Sequence, residues 1–319
     1  MPAKSVTTVE DLRRAAVEQE QLRVVLKMQA KFESIDTCVV EQANLDSLGI
    51  VLGPPLDVDN TDTLWDASTC FFRPWVPGEI LTEVASRRPP GTWMDQLGET
   101  WHSQPEWKYG ELKIEWFNSC LEELYEMDRD LWDPWVIDAL QIRRGTGLDL
   151  RFNQILTFDP STDQHVNRQY YPGAAYFPVD KTKPHVACLT IDSNHPPGDK
   201  VLHSEVDYAI AMVKFRLEKG QHTEHHTKPG ITYTLERDQW ARITQVHFDG
   251  KARKLVLRQS RQLDLRGPEP PADAFLLLRW MANRPAGETE YVDEAEPPKE
   301  EVARDDPSSA APKLLLGCA

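Results

Sequence analysis

Proline spacing is the feature that most limits what this chain can form. Between residues 36 and 110 the segments GPPLDVDN, RPWVPGE, RRPPGTW and SQPEW interrupt the backbone repeatedly. Proline lacks the amide proton that a helix interior needs and clashes with the preceding turn, so long helices are barred here. The same stretch holds Trp65, Trp75, Trp93, Trp101 and Trp107, and eight of the ten tryptophans fall between 65 and 135. Side chains of that size need burial. Irregular backbone with large aromatic anchors therefore predicts a compact wrap over the rest of the fold. Aromatic anchors also carry much of the energy of protein interfaces, which makes these five tryptophans candidate partner-binding residues.

Helical periodicity is clearest at the start of the chain. Val9, Leu12, Ala16, Leu22, Val25, Leu26 and Ala30 recur at three- and four-residue steps, with Thr8 and Asp11 as a shortened capping box. This long amphipathic helix packs on its own domain or serves self-association. Its apolar spacing does not hold a strict heptad, which disfavours a coiled coil. Residues 111–132, ELKIEWFNSCLEELYEMDRDLW, predict a second helix bearing Leu112, Ile114, Phe117, Leu121, Leu124 and Tyr125. Pro134 then opens a third, short one, PWVIDALQIRR.

Residues 147–284 alternate differently. Leu150–Phe158, His185–Asp192 and Ile231–Glu236 read as strands, and a helix runs from Ser204 as N-cap to Gly220 as stop. WARITQVHF and KARKLVLRQS flank Asp249-Gly250, a strong signal for a type I′ hairpin, and Ala272–Asn283 forms a closing helix. Strands interspersed with single helices predict an α+β fold on a mixed or antiparallel sheet. The chain thus divides into an N-terminal helix (1–35), a Trp-rich region (36–146), an α+β region (147–284) and an acidic tail (285–319). That tail carries nine acidic residues, three basic ones and five prolines, and reads as disordered.

The formal charge of −15 and a pI near 5.1 argue against general nucleic-acid or anionic-membrane binding, because the mean field repels phosphate. No apolar run is long enough for a bilayer and no signal peptide opens the chain. Five scattered cysteines, none in a C-x-x-C pair, read as reduced thiols. Together these features predict a cytoplasmic or nuclear protein with a protein partner.

Candidate chemistry is sparse. Phosphate-loop, dinucleotide, nucleophile-elbow and zinc-helix motifs are all absent from the sequence. His222, His225 and His226 cluster behind Gly220 and, with Asp207, offer a partial shell for a divalent metal. A loop after a helix stop, however, predicts solvated histidines. Asp207 and His203, one turn apart, form a potential acid/base pair or a plain helix-face hydrogen bond. Glu111-Leu112-Lys113 with upstream Asp95 resembles a metal-dependent nuclease signature, although here it opens a helix. Lys251, Arg253, Lys254, Arg258, Arg261 and Arg266 form a basic run relieved only by Asp264. It offers a surface to an acidic partner or to the chain's own acidic tail, or else protects an exposed edge hairpin from aggregation.

One resemblance can be attached to residues. From His222 to Glu290, TKPGITYTLERDQWARITQVHFDGKARKLVLRQSRQLD and FLLLRWM are similar to the C-terminal part of uncharacterised predicted proteins of filamentous fungi. It covers about a fifth of the chain and implies no activity. The sequence therefore points to a non-catalytic interaction or regulatory protein, with no cofactor. The alternative is a hydrolase, metal-dependent if the histidine cluster and Asp207 converge.

Overall fold

A computed structural model describes residues 8–60, 68–74, 78–87, 93, 107–127, 136–137, 153–159, 164–178, 180–194, 198 and 200–291. The run VACLTID forms strand β7 (Val186–Asp192), buried along its whole length. A strand covered on both faces reads as a continuous apolar run and feeds two cores. Ala187, Leu189 and Ile191 enter one core, and Val186 and Cys188 the other, as a two-residue side-chain period requires.

Around β7 the sheet runs β2 (Ile50–Leu52), β11 (Lys254–Gln259), β10 (Trp240–Asp249), β9 (Thr227–Glu236), β7, β6 (Gln164–Phe177) and β4 (Val136–Ile137). β5 (Asn153–Asp159) pairs with β6, and β12 (Leu263–Asp264) with β10. The β7–β9 and β2–β11 pairs are parallel and the others antiparallel. This is the mixed sheet of an α+β fold. Two short antiparallel pairs stand apart from it: β1 (Val39–Val40) with β8 (Val201–Leu202), and β3 (Phe72–Pro74) with β13 (Asn283–Pro285).

Helices cover both faces. On one, α1 (Val9–Phe32), α2 (Gln42–Leu48) and α5 (His203–Lys219) supply Val25, Met28, Phe32, Leu45 and Tyr208 to the core. On the other, α3 (Gly78–Ser86), α4 (Trp107–Met127) and α6 (Ala272–Met281) supply Val84, Trp116, Phe117 and Trp280. Helix α4 approaches the sheet closely. A Cβ at Gly110 would stand 2.7 Å from Ile191, and one at Gly173 would collide with Ile114. Of the five tryptophans expected to form a wrap, Trp93 has a described side chain, and it is buried. Trp93 stacks edge-on against Trp116 at 4.8 Å, and Trp280 Nε1 donates to Val58 O at 3.2 Å.

Several expectations need correction. Val136 and Ile137, placed in a short helix by Pro134, instead pair as strand β4 with Phe177 and Tyr176; β-branched residues suit that pairing. The hairpin loop spans four residues, 250–253, because Asp249 pairs with Lys254. The Asp249 carboxylate accepts from the amides of Lys251 and Ala252, and Arg253 takes the positive φ of 54°. Nor is that hairpin an edge, since β2 lies beside β11 in parallel. Helix α5 is capped at Leu202, not Ser204. Finally, residues 285–291, assigned to the tail, are fixed. Ala286 N donates to Phe71 O at 2.8 Å, and Glu290 bridges to His225. The remaining tail, 292–319, lies outside the described residues.

Helix α1 is where the apolar pattern misleads most. Thr8 and Asp11 form the expected capping box. Yet Val9 is 85% exposed and Leu12 62%, while Glu18 and Gln21 are buried beside Val25, Met28 and Phe32. The reason is Lys228 on β9. Its ammonium, fully buried, lies 2.7 Å from the Glu18 carboxylate and donates to the carbonyls of His222 (2.5 Å) and His225 (2.7 Å). Burial lowers the Lys228 pKa, and Glu18 acts against that fall. Removing one member of a buried pair strands the other charge at a cost of about 3–5 kcal/mol, whereas an apolar pair of similar volume is tolerated. Urea unfolding is thus expected to show E18A destabilised by roughly that amount, with E18L/K228M recovering most of it.

Candidate functional site

The histidine cluster follows the left-handed C-cap Gly220 (φ 58°) of α5 and leads directly into β9. It is not a solvated loop. His222 and His225 are each 1% exposed; residues 289–291 lie along Glu224, His225 and His226, and His222 is held between Arg216 and Thr182. His226 N donates to Thr289 O at 2.8 Å, Tyr291 N to Glu224 O at 2.9 Å, and His225 Nδ1 lies 2.7 Å from Thr289 Oγ1. His222, Glu224 and His225 bring one donor atom each within 4.8 Å of one another. His226 turns aside, with Nδ1 2.7 Å from Thr227 Oγ1 and its ring against Tyr291.

The protonation state of His222 decides what this group can bind. Arg216 Nη1 lies 3.2 Å from His222 Nε2, and a guanidinium only donates. Nε2 therefore accepts, the ring proton sits on Nδ1, and Nδ1 donates to Thr182 O at 3.3 Å. Both ring nitrogens are occupied. Burial, with the Arg216 and Lys228 charges adding to it, holds the His222 pKa down at about 3. Two fixed cations beside the donor set also oppose a third. A metal would have to displace the Arg216 contact before His222 could ligate.

Asp207 does not join the cluster. It sits in the second turn of α5, about 20 Å along the helix from the His222 end. Tyr170 on β6 meets it instead: the hydroxyl donates to Asp207 Oδ2 at 2.8 Å and lies 2.9 Å from His203 Nδ1. His203 Nε2 contacts Ile35 O at 3.1 Å. The trio ties β6, α5 and the end of α1 together.

A denser polar group, not singled out by sequence reasoning, lies at the carboxyl ends of the parallel strands β7 and β9. Asp192 ends β7, Glu236 ends β9 and Glu205 lies in the first turn of α5; all three are buried. Open α/β sheets place ligands at such an edge. Here the chain's own donors fill it. Asp192 accepts from Ser204 Oγ (2.5 Å) and from the amide and side chain of Asn194 (2.9 and 2.7 Å). Glu205 accepts from Thr244, Gln259 and Leu202 N, and Arg242 clamps Glu236 through Nε (3.0 Å) and Nη2 (2.9 Å). Burial raises the Asp192 pKa to about 7 despite those donors. The only sequence trace is an acidic residue closing an apolar run, in LTID and TYTLE.

The other candidates separate. Lys113 is buried, with Nζ 3.6 Å above the Trp93 ring and donating to Leu265 O at 3.2 Å, whereas Glu111 is exposed. They do not converge, and Asp95 lies outside the described residues. So do Trp65, Trp75 and Trp101, and the Trp107 side chain is not described; Trp93 is core. In the basic run, Arg258 is turned inward and donates to the carbonyls of Pro54 (3.0 Å) and Thr69 (2.7 Å). Arg261 is exposed but clamped between Asp59 and Asp273, at 2.7 Å each. That leaves Arg253, 3.5 Å from Glu20 of α1, and Lys254 on the outer surface.

Buried neutral histidines give this protein a defined acid response. Desolvation holds His185 and His222 at about 3 and His203 and His247 at about 4, and lowers His225 and His226. As pH falls through 6.5 the unfolded chain takes up these protons while the fold refuses them, so stability declines. Asp192 and Glu205, both raised, act in the opposite sense: they favour the fold below the unfolded carboxylate pKa and lose that contribution as pH rises. Six histidines outweigh two carboxylates. Denaturation midpoints are expected to fall between about pH 6.5 and 4, less steeply in H222Q and more steeply in D192N.

No protein-family model, curated protein or solved structure matches this chain.

Proposed function

We propose that this chain is a non-catalytic interaction protein of the cytoplasm or nucleus that meets its protein partner through the outer face of α1. One observation carries the reading. Of the six exposed large apolar side chains among the described residues, four belong to this helix: Val9, Leu12, Val17 and Leu26. Leu12 and Leu26 stand on the same side of the helix, and exposed apolar side chains that share a face are what a contact surface offers a partner. The polar groups that would serve catalysis are engaged within the fold, as the donors to His222, Asp192 and Glu205 illustrate. No described helix is long and apolar enough to cross a membrane.

Amine cross-linking in cell extract is expected to join Lys27, exposed on α1, to another polypeptide, a second copy included. L12E/L26E changes only exposed positions, which usually costs under about 0.5 kcal/mol. It should keep its melting temperature and lose those cross-links. An α1 without cross-links, or a pattern unchanged in L12E/L26E, overturns the reading.

A second reading, the metal-dependent hydrolase, has the donor set His222, Glu224 and His225 in its favour, since two imidazoles and a carboxylate suit zinc. It requires tight, stoichiometric zinc or manganese binding by titration calorimetry, lost in H225A. A protein that binds neither ion removes it.

A further inference from the structure

Three arginines are buried among the described residues, and they differ in what answers their charge. Arg242 lies against the carboxylates of Glu205 at 3.4 Å and Glu236 at 2.9 Å. Arg258 has no carboxylate but directs each nitrogen to a carbonyl, Nε to Pro54, Nη1 to Thr69 and Nη2 to Pro55. Arg216, near the end of α5 and 7% exposed, has neither arrangement. Its Nη2 donates to His185 O at 2.5 Å and its Nη1 to His222 Nε2 at 3.2 Å, while Nε is buried without a partner. A guanidinium carries five N–H groups, so most of those on Arg216 lack an acceptor. Burial lowers its pKa to about 10, and among the described residues no carboxylate offsets that fall.

The surroundings leave that charge standing. Phe177 and Phe215 place their rings 5.4 and 5.6 Å from the guanidinium carbon. Lys219 sets its ammonium 5.5 Å from the same Phe215 ring, and the charge of Lys183 is felt at His185. The carboxylates of this region are turned to other groups. Asp180 accepts from the amide and hydroxyl of Thr182, Glu218 pairs with Lys214 at 3.9 Å, and Glu224 lies 3.5 Å from His225 Nε2. Lys228, the other cation beside His222, already has Glu18 at 2.7 Å. Arg216 is thus the buried charge that no side chain balances. An uncompensated charge in a dry interior is costly, and an anion removes that cost.

We propose that Arg216 anchors a binding site for an oxyanion, the carboxylate or phosphate group of a small ligand, between the end of α5 and the turn that precedes β7. The spare N–H groups of a guanidinium form a fork whose spacing matches two oxygens of either group. Lys183 and Lys219 add positive potential at the rim. The charge that opposes a metal at His222 is the one that attracts this ligand. Once seated, the oxyanion ties α5 to the segment of Thr182 and His185, which Arg216 already joins through His222 and the His185 carbonyl. The site shares no residue with the outer face of α1 and stands apart from the role proposed for that helix.

Titration calorimetry of the purified full chain at neutral pH tests the site, with sodium phosphate and sodium acetate as separate probes and sodium chloride of equal ionic strength as the reference. At least one probe should give a saturable one-to-one isotherm that chloride does not. Saturation by phosphate alone identifies a phosphorylated ligand, and saturation by acetate alone a carboxylate. R216M, an unbranched apolar replacement, should abolish the isotherm while keeping a cooperative circular dichroism melt. R216K should weaken binding by about tenfold, because an ammonium keeps the charge but loses the fork. R253M, at an exposed arginine of the β10–β11 turn, should bind as the unaltered chain does. The proposal is overturned if neither probe saturates the unaltered chain, whatever the variants do. It is overturned equally if folded R216M and R216K bind as tightly as the unaltered chain, or if R253M loses binding as R216M does. L12E/L26E should bind the probe normally, so that failure here leaves the α1 surface untouched.

Discussion

A buried ammonium holds the α1 face of this protein together. Lys228 reaches from a central strand to a carboxylate on α1 and to two carbonyls of the turn between α5 and β9. In a dry interior that charge needs several partners at once, and here they come from α1 and from the turn that precedes β9. Glu18 therefore turns inward, and α1 rolls so that its polar middle faces the core. The outward stripe with Leu12 and Leu26 follows from that rotation. So does its charge: with Glu18 withdrawn, Arg23 and Lys27 dominate what remains outside. The seat of α1 and the surface it offers are two sides of one electrostatic requirement.

The other polar groups follow the same logic. Arg216, Arg242 and Arg258 each direct their guanidinium to carbonyls or side chains of distant segments. Asp192 and Glu205 collect donors from a strand, a loop and the start of α5. A catalytic group must keep a lone pair or a proton available to a substrate. At His222 the direction of one hydrogen bond removes that availability, because a guanidinium donor on Nε2 leaves Nδ1 protonated and engaged. The histidine spacing suits a metal, while the protonation it is held in suits a structural turn.

Legibility in the sequence depends on whether the relevant physics is local. The capping box of Thr8 and Asp11, the left-handed Gly220, the apolar run of β7 and the closing helix Ala272–Met281 are all readable, because each rests on neighbours within a turn or a two-residue period. β4 is not, because Val136 and Ile137 gain their strand partner from Phe177 and Tyr176, some forty residues on. The Asp249-Gly250 turn is visible in place but not in size, since the Asp249 carboxylate captures two amides and lengthens the loop. Of the candidate site, the residue types His222 and His225 are visible, but their burial is not, because His225 meets Thr289 and His222 meets Thr182, each tens of residues away.

The sequence by itself determined the fold class, the α1 helix with its cap, and the net acidic composition. These are properties of pattern and sum. Only the tertiary structure decided which face of α1 is inside, which histidine nitrogen holds the proton, and that Asp207 belongs with Tyr170 and not with His222. Each of those outcomes depends on a charge or donor brought in from a distant element. Burial makes such a contact worth more than the local hydrophobic pattern it overrides.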